Sequence, residues 1–156
     1  MLTHLDNKNQ PSMVDVSAKQ VTHRTATAQS IVVLPGEILS HLVDGELQTK
    51  KGSVFQTAII AGIMAAKKTG ELIPLCHPIG MDNCKITIEL SEINEVLIQC
   101  TASITAKTGV EMEALVGASM AALTVYDMCK ALSHDIVIKE TKLILKTGGK
   151  SDFERK

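Results

Sequence analysis

Apolar and polar positions along the chain switch between two periods. From Val21 to Leu34 threonine and β-branched residues dominate and close on Ile31-Val32-Val33-Leu34, which predicts a long strand stopped by Pro35-Gly36. Ile38, Leu39, Leu42 and Val43 then fall at helical spacing and predict a short amphipathic helix with Gly45 as its stop. Beyond a loop carrying Lys50-Lys51-Gly52, Ser53 is placed as the N-cap of a second helix. Its apolar side holds Phe55, Ala58, Ile59, Gly62, Ile63 and Ala66, and Lys67-Lys68 precede Gly70. Pro74 and Pro78 forbid a regular helix there and predict an extended, rigid loop for Leu75-Cys76-His77. Lys85 to Leu90 alternates with period two, Ser91 to Asn94 turns, and Val96, Ile98, Cys100, Ala102 and Ile104 line one face of a returning strand. The longest helix is predicted from about Glu111 to Leu132, with Ala114, Gly117, Ala118, Ala121 and Ala122 suited to tight packing, and a last strand over 136–145. The order strand, helices, strand, strand, helix, strand predicts an α+β fold. It is a ferredoxin-like split βαβ, an antiparallel sheet with helices packed on one face.

Composition narrows what such a domain can do. Sixteen Lys and Arg balance seventeen Asp and Glu, so no global field draws the chain to nucleic acid or anionic lipid. Phe55, Tyr126 and Phe153 are the only aromatic residues, too few for a platform that stacks single-stranded bases. The longest run without a polar or charged side chain, Ala58 to Ala66, has nine residues where a membrane span needs about 20. The opening MLTHLDNKNQ lacks the apolar stretch of a secretory signal, and Cys76, Cys84, Cys100 and Cys129 contain no CxxC pair, so reduced thiols in the cytoplasm are expected. Cys76-His77 is the only adjacent thiol–imidazole couple, and such neighbours do not easily close one tetrahedron, so no metal site is expected. The polar ends 1–12 and 148–156 bury little apolar surface and are expected to be mobile, flanking one domain within residues 1–156. The helices carry more small and aliphatic residues than one sheet can cover, which predicts an oligomer held by apolar contact.

Four constellations could carry chemistry. Lys50-Lys51-Gly52-Ser53 puts basic residues at a helix start, which fits an anion site and equally a capped, solvated loop. In Leu75-Cys76-His77 two prolines brace a thiol and an imidazole able to donate, accept or exchange protons near neutrality, while a packed proline turn with a buried histidine uses the same residues. Glu111, Met112 and Glu113 follow Lys107-Thr108-Gly109 into the first turn of the long helix. Acids there suit the helix dipole, and a carboxylate accepting two parallel N–H bonds also matches the N1–H and 2-amino edge of guanine. Asp127 and Lys130 share a helix face, and the uncharged run from Ala114 to Val125 predicts a partly buried pair in which a lysine could act as a tuned proton donor. Gly149-Lys150-Ser151 mimics the end of a P-loop, but Ile144 stands where its first glycine belongs, so a Walker-type NTPase is rejected.

Taken in chain order, MVDVSAK (13–19), KKGSVF (50–55), IPLCHP (73–78), KTGVEMEAL (107–115), ALTVYDMCKA (122–131) and KTGGKS (146–151) resemble the MoaC family, the cyclic pyranopterin monophosphate synthases. The resemblance covers nearly the whole chain, and LCHP, GVEMEAL and YDMCKA in that order are specific where each alone is not. One departure stands at Ser53: the family commonly has Asp after this glycine, so Lys51 loses an acidic neighbour while the helix cap is expected to stay intact. The resemblance implies a hexamer, a trimer of dimers, with active sites at subunit interfaces. Its implied substrate is 3′,8-cyclo-7,8-dihydroguanosine 5′-triphosphate, rearranged to cyclic pyranopterin monophosphate with loss of pyrophosphate in molybdenum cofactor biosynthesis. By the same resemblance Leu75, Cys76, His77, Met112 and Glu113, with Glu111 beside them, hold the guanine-derived base. Asp127, Lys130 and Lys51 carry the proton transfers, and Arg24, Lys19 and Lys146 line the pocket. This is acid–base chemistry for which no cofactor is required. Mg²⁺ could accompany the triphosphate, for which the sequence shows no carboxylate cage. Two rivals are another pterin-forming enzyme of the GTP cyclohydrolase kind, for which the His and Cys zinc set is missing, and a ferredoxin-like nucleotide-binding regulator without catalysis.

Overall fold

The computed structural model describes residues 4–156, so the first three residues of the amino-terminal tail lie outside the described residues. Its centre is the strand β1, Thr22–Val33, whose Ala26, Ala28 and Val32 have no solvent exposure. A one-turn helix α1, Gly36–Leu39, leads to the short strands β2 (Leu42–Val43), β3 (Glu46–Thr49) and β4 (Gly52–Ser53), which form a small antiparallel sheet. Then come α2 (Val54–Ala66), the single turn α3 (Thr69–Leu72), the hairpin β5 (Asn83–Leu90) and β6 (Glu95–Ala106), α4 (Glu111–Cys129), β7 (Val137–Thr147) and β8 (Phe153–Glu154). The main sheet runs β5-β6-β1-β7-β8, antiparallel throughout. Because β6 lies between β1 and β5, the first βαβ unit is split, as the element order predicts.

Two helices cover one face of this sheet. The alternating residues Val96, Ile98, Cys100 and Ala102 of β6 face them, together with Ala26, Ala28 and Val32, in one continuous core. Small residues let α2 and α4 approach closely. A Cβ placed on Gly62 would lie 2.7 Å from the carbonyl oxygen of Gly117, and the same economy seats α4 on the sheet, where a Cβ on Gly117 would lie 2.6 Å from Cys100 Sγ of β6. Ala114, Ala118, Ala121 and Ala122 of α4 have no exposure, so the alanine stripe seats the helix on the sheet.

The structure corrects two local expectations. Leu42 and Val43 are not helical: α1 stops at Leu39, and the chain forms a hairpin about Asp44 and Gly45, whose φ angles are 50° and 77°. Two successive left-handed residues make a primed two-residue turn, for which Asp-Gly is a preferred sequence, and the turn outweighs a helical spacing carried by only four apolar residues. The segment Leu75-Cys76-His77 is likewise not extended throughout. Cys76 N–H donates to Ile73 O at 3.1 Å, closing a turn in which Pro74 presets the second position. Past Gly148 the chain runs back along β7, pairing Phe153 with Lys146 and Glu154 with Leu145.

Candidate active site

The start of α4 brings together most of the residues expected to grip a base. A cleft of about 330 Å³ is lined by Leu75, Cys76 and His77 from the proline loop, Met112 and Glu113 from α4, and Lys19 from the segment before β1. Glu111 and the backbone of Val14 also border it. His77 Nε2–H donates to Val14 O at 2.7 Å, which ties the amino-terminal segment across the cleft. A carbonyl only accepts, so this bond puts a proton on Nε2 and leaves Nδ1 of the neutral ring as an acceptor.

Glu113 is buried, and burial pushes its carboxyl above the ordinary glutamate value; its own N–H lowers it, and the Glu111 charge raises it further. Cys76 is likewise pushed up, first by burial and then by the Glu113 charge, so it stays a thiol at neutral pH. A neutral thiol lines the cleft as a soft surface and does not act as a nucleophile. Glu111, at the rim of the same cleft, also pairs with a cation, its Oε1 lying 3.4 Å from Lys146 Nζ. A narrow slot beside that pair is bordered by Arg24, whose Nε–H donates to Ala106 O at 3.2 Å. Lys107 Nζ donates to Ser17 O at 2.9 Å, a second tie on the amino-terminal segment. Lys19, Arg24, Lys107 and Lys146 thus concentrate positive charge around one end of α4 although the whole chain carries a formal charge of −1.

The other end of α4 holds a separate cluster. Asp127 accepts from Lys51 Nζ at 3.1 Å and from Lys130 Nζ at 2.9 Å, and Lys51 Nζ also reaches Asp127 O at 3.2 Å. Hydrogen bonds from Lys130 and then Lys51 hold the Asp127 carboxyl below the usual aspartate range, so it stays ionised between two ammonium groups. Lys51 also borders a cleft of about 410 Å³ floored by Met128, Ala131 and Leu132. The expected burial of this pair is not found: the Asp127 side chain is 56% exposed and that of Lys130 50%. The helix ends at Cys129, so the pair sits on its last turn beyond the uncharged, buried stretch.

The fold sorts the residues marked in the sequence into two poles. Fourteen positions separate Glu113 from Asp127 along α4, a rise of about 21 Å. Three contributions escape the periodicity: Val14 as the acceptor for His77, Lys107 as the tie to Ser17, and Glu46. Ser53 stands at the N-cap of α2 but makes no side-chain cap bond. Glu46 makes it instead, its Oε1 accepting from Phe55 N–H at 2.8 Å and its Oε2 from Gln56 N–H at 3.1 Å. The Asp-Gly turn was the available signal, because it places Glu46 beside the helix start. Among the described residues, no three His, Cys, Asp or Glu side chains are grouped as a metal ion would need, and no helix is long and apolar enough to cross a membrane.

Comparison with known proteins identifies the family of the chain. The sequence model of the MoaC family matches residues 13–149. The chain is 54% identical to a cyclic pyranopterin monophosphate synthase of Xanthomonas campestris pv. campestris (strain B100), with 97% of this chain and 92% of that protein covered. It is also 54% identical to a molybdenum cofactor biosynthesis bifunctional protein of a Synechocystis species, where 99% of this chain covers 46% of the relative. With molybdenum cofactor biosynthesis protein 1 of Dictyostelium discoideum it shares 52% identity, over 90% of this chain and 25% of that protein. The chain thus spans less than half the length of the last two relatives and nearly all of the first.

Proposed function

The chain belongs to the MoaC family, and on that premise we propose that it is a cyclic pyranopterin monophosphate synthase. It would convert 3′,8-cyclo-7,8-dihydroguanosine 5′-triphosphate to cyclic pyranopterin monophosphate and pyrophosphate, a phosphorus–oxygen lyase reaction of molybdenum cofactor biosynthesis in the cytoplasm. The observation that carries the reading is the convergence of Lys51 and Lys130 on one carboxylate, Asp127, from chain positions far apart. Ring opening, pterin closure and cyclic phosphate formation each move a proton, and two ammonium groups steadied by an ionised carboxylate can give and recover protons in turn.

Recognition falls to the other pole. Glu113 accepts from the N–H edge of the guanine-derived ring, His77 offers Nδ1, and Leu75, Cys76 and Met112 supply the apolar wall. Lys19, Arg24 and Lys146 answer the phosphate charge. The reaction needs no cofactor from the protein, and any Mg²⁺ on the triphosphate arrives as part of the substrate. Groups that hold a ring and groups that protonate it must be within hydrogen-bond reach of neighbouring atoms, which a spacing of about 21 Å along one helix does not allow. The proposed site therefore joins the cleft of one subunit to the lysine cluster of another, in a homo-oligomer built as a trimer of dimers. Incubation of purified protein with the cyclised triphosphate tests the reading. Pyrophosphate release with formation of the cyclic pterin monophosphate supports it, and an unchanged substrate refutes it.

A further inference from the structure

We infer that Glu46 is the positioning residue for Lys51: by clamping the first turn of α2 to the β2–β3 hairpin, it sets the loop that carries the Lys51 ammonium to Asp127. The inference rests on Lys51 being an acid–base group of the proposed reaction.

The Phe55 and Gln56 N–H groups are the second and third of α2, those an N-cap side chain ordinarily takes. Ser53 has the extended backbone of an N-cap, but its Oγ accepts from Gln48 Nε2 at 2.9 Å. Glu46 reaches both helix N–H groups across the hairpin, and its Oε1 also accepts from Leu47 N–H at 2.7 Å. Three N–H donors on one carboxylate at a helix N-terminus combine charge-assisted bonding with a favourable helix dipole.

Lys51 lies inside the segment this clamp closes. Gln48 pairs with Ser53 and Thr49 with Gly52, leaving Lys50 and Lys51 as the turn between β3 and β4. Lys51 N–H donates to Thr49 Oγ1 at 3.2 Å, and Gly52 has φ +108°, which side-chain-bearing residues rarely adopt. One strand of the turn begins at Glu46 and the other runs into α2, so the Glu46 carboxylate fixes both ends. It also faces α4: its charge is the second cause, after burial, of the rise of the Cys129 thiol to about 11. Cys129 is two residues from Asp127, so the Glu46 carboxylate binds β3 and α2 directly and its charge is felt at the end of α4 that carries Asp127.

The test compares wild type with Glu46→Ala, Glu46→Gln and Glu46→Ala/Ser53→Asp in the full-length protein. Two readouts are taken: kcat and KM for the cyclised triphosphate, and the rate of Lys51 acylation by an amine-reactive ester, measured by peptide mass spectrometry against Lys85 on β5. Glu46→Ala is expected to lower kcat at least about tenfold while KM stays within about twofold, since a small misplacement of a catalytic group is that costly. Lys51 acylation should rise by about threefold or more as the ammonium leaves Asp127. Ser53→Asp in the Glu46→Ala background restores an acceptor for the same N–H groups and should recover both readouts. Should Glu46→Ala fail to fold, Glu46→Gln, which keeps one acceptor oxygen, carries the same comparison. Unchanged kcat and unchanged Lys51 acylation would overturn the inference, as would a loss of kcat without altered acylation and without recovery by Ser53→Asp. If wild type does not turn over the substrate, the proposed reaction fails, while acylation still decides whether Glu46 places Lys51.

Discussion

Glu111 and Glu113 stand two positions apart on the first turn of α4 and meet different surroundings. Glu113 is 4% exposed on the cleft, whereas Glu111 shares its charge with Lys146. Glu113→Gln turns one acceptor oxygen into a donor facing the ligand's N–H groups and should cost about 1–3 kcal/mol of binding. Glu111→Gln should cost about 0.3–1 kcal/mol through the helix dipole. Calorimetric titration with a non-reacting substrate analogue compares them, and a larger loss at Glu111 would reverse the assignment. The same carboxyl predicts a pH effect. Its folded-state pKa is raised, so the folded chain binds this proton more tightly than the unfolded one. The stability it contributes is therefore present at low pH and lost as pH rises from the ordinary glutamate value through the raised native one. Glu113→Gln should flatten that part of the urea-unfolding profile, and an unchanged slope would show that the carboxyl is not perturbed. At the other pole, Lys51→Ala and Lys130→Ala should each lower turnover by about 100-fold or more with circular dichroism unchanged, as when a positioned acid or base is removed.

The packing of α2 and α4 on each other and on the sheet makes its own prediction. Gly117→Ala puts a methyl against Cys100 Sγ of β6, and Gly62→Ala puts one against Ile86 Cδ1 of β5 and the Gly117 carbonyl. Each should cost about 1–3 kcal/mol in denaturant unfolding, as overpacking does. Cys100→Ala should relieve the first and not the second, because the Gly62 methyl meets Ile86, the Gly117 carbonyl and Ala121 rather than Cys100. At this scale the sequence is readable wherever many residues repeat one period. Thr22–Val33, the β5–β6 hairpin and α4 follow directly from alternation or from the alanine stripe. Leu42 and Val43 depart from the helical expectation because four apolar residues fit a helix turn and a short hairpin alike, and only the Asp44-Gly45 pair distinguishes them. The candidate site divides the same way. Asp127 and Lys130, three apart, are legible as neighbours on one helix, but the meeting of Lys51 with Asp127 spans 76 positions and depends on how the small sheet docks. The role of Glu46 is not legible in the sequence because its helix partners lie nine and ten residues away, beyond a turn whose Gly45 equally suits a helix stop.

Over the whole molecule, the outward side of the helical layer carries Ile60, Met64 and Leu123, each more than half exposed in the single chain. Aliphatic residues this open suit contact with another copy, so sedimentation should find an oligomer at micromolar concentration, and an active monomer would contradict the shared site. The two poles of α4 give the more direct test. A Lys51→Ala subunit lacks part of the proposed acid–base pole and a His77→Ala subunit lacks part of the proposed recognition pole, so each variant alone should be nearly inactive. Where sites are shared between subunits, a hybrid can still combine an intact cleft from one with an intact lysine cluster from the other. The deciding measurement is therefore the turnover of the two variants co-expressed in equal amounts. Random pairing predicts roughly a quarter of wild-type activity, because about that share of sites receives both intact halves. Hybrid oligomers that form in equal proportion and show no more activity than either variant alone would contradict the account.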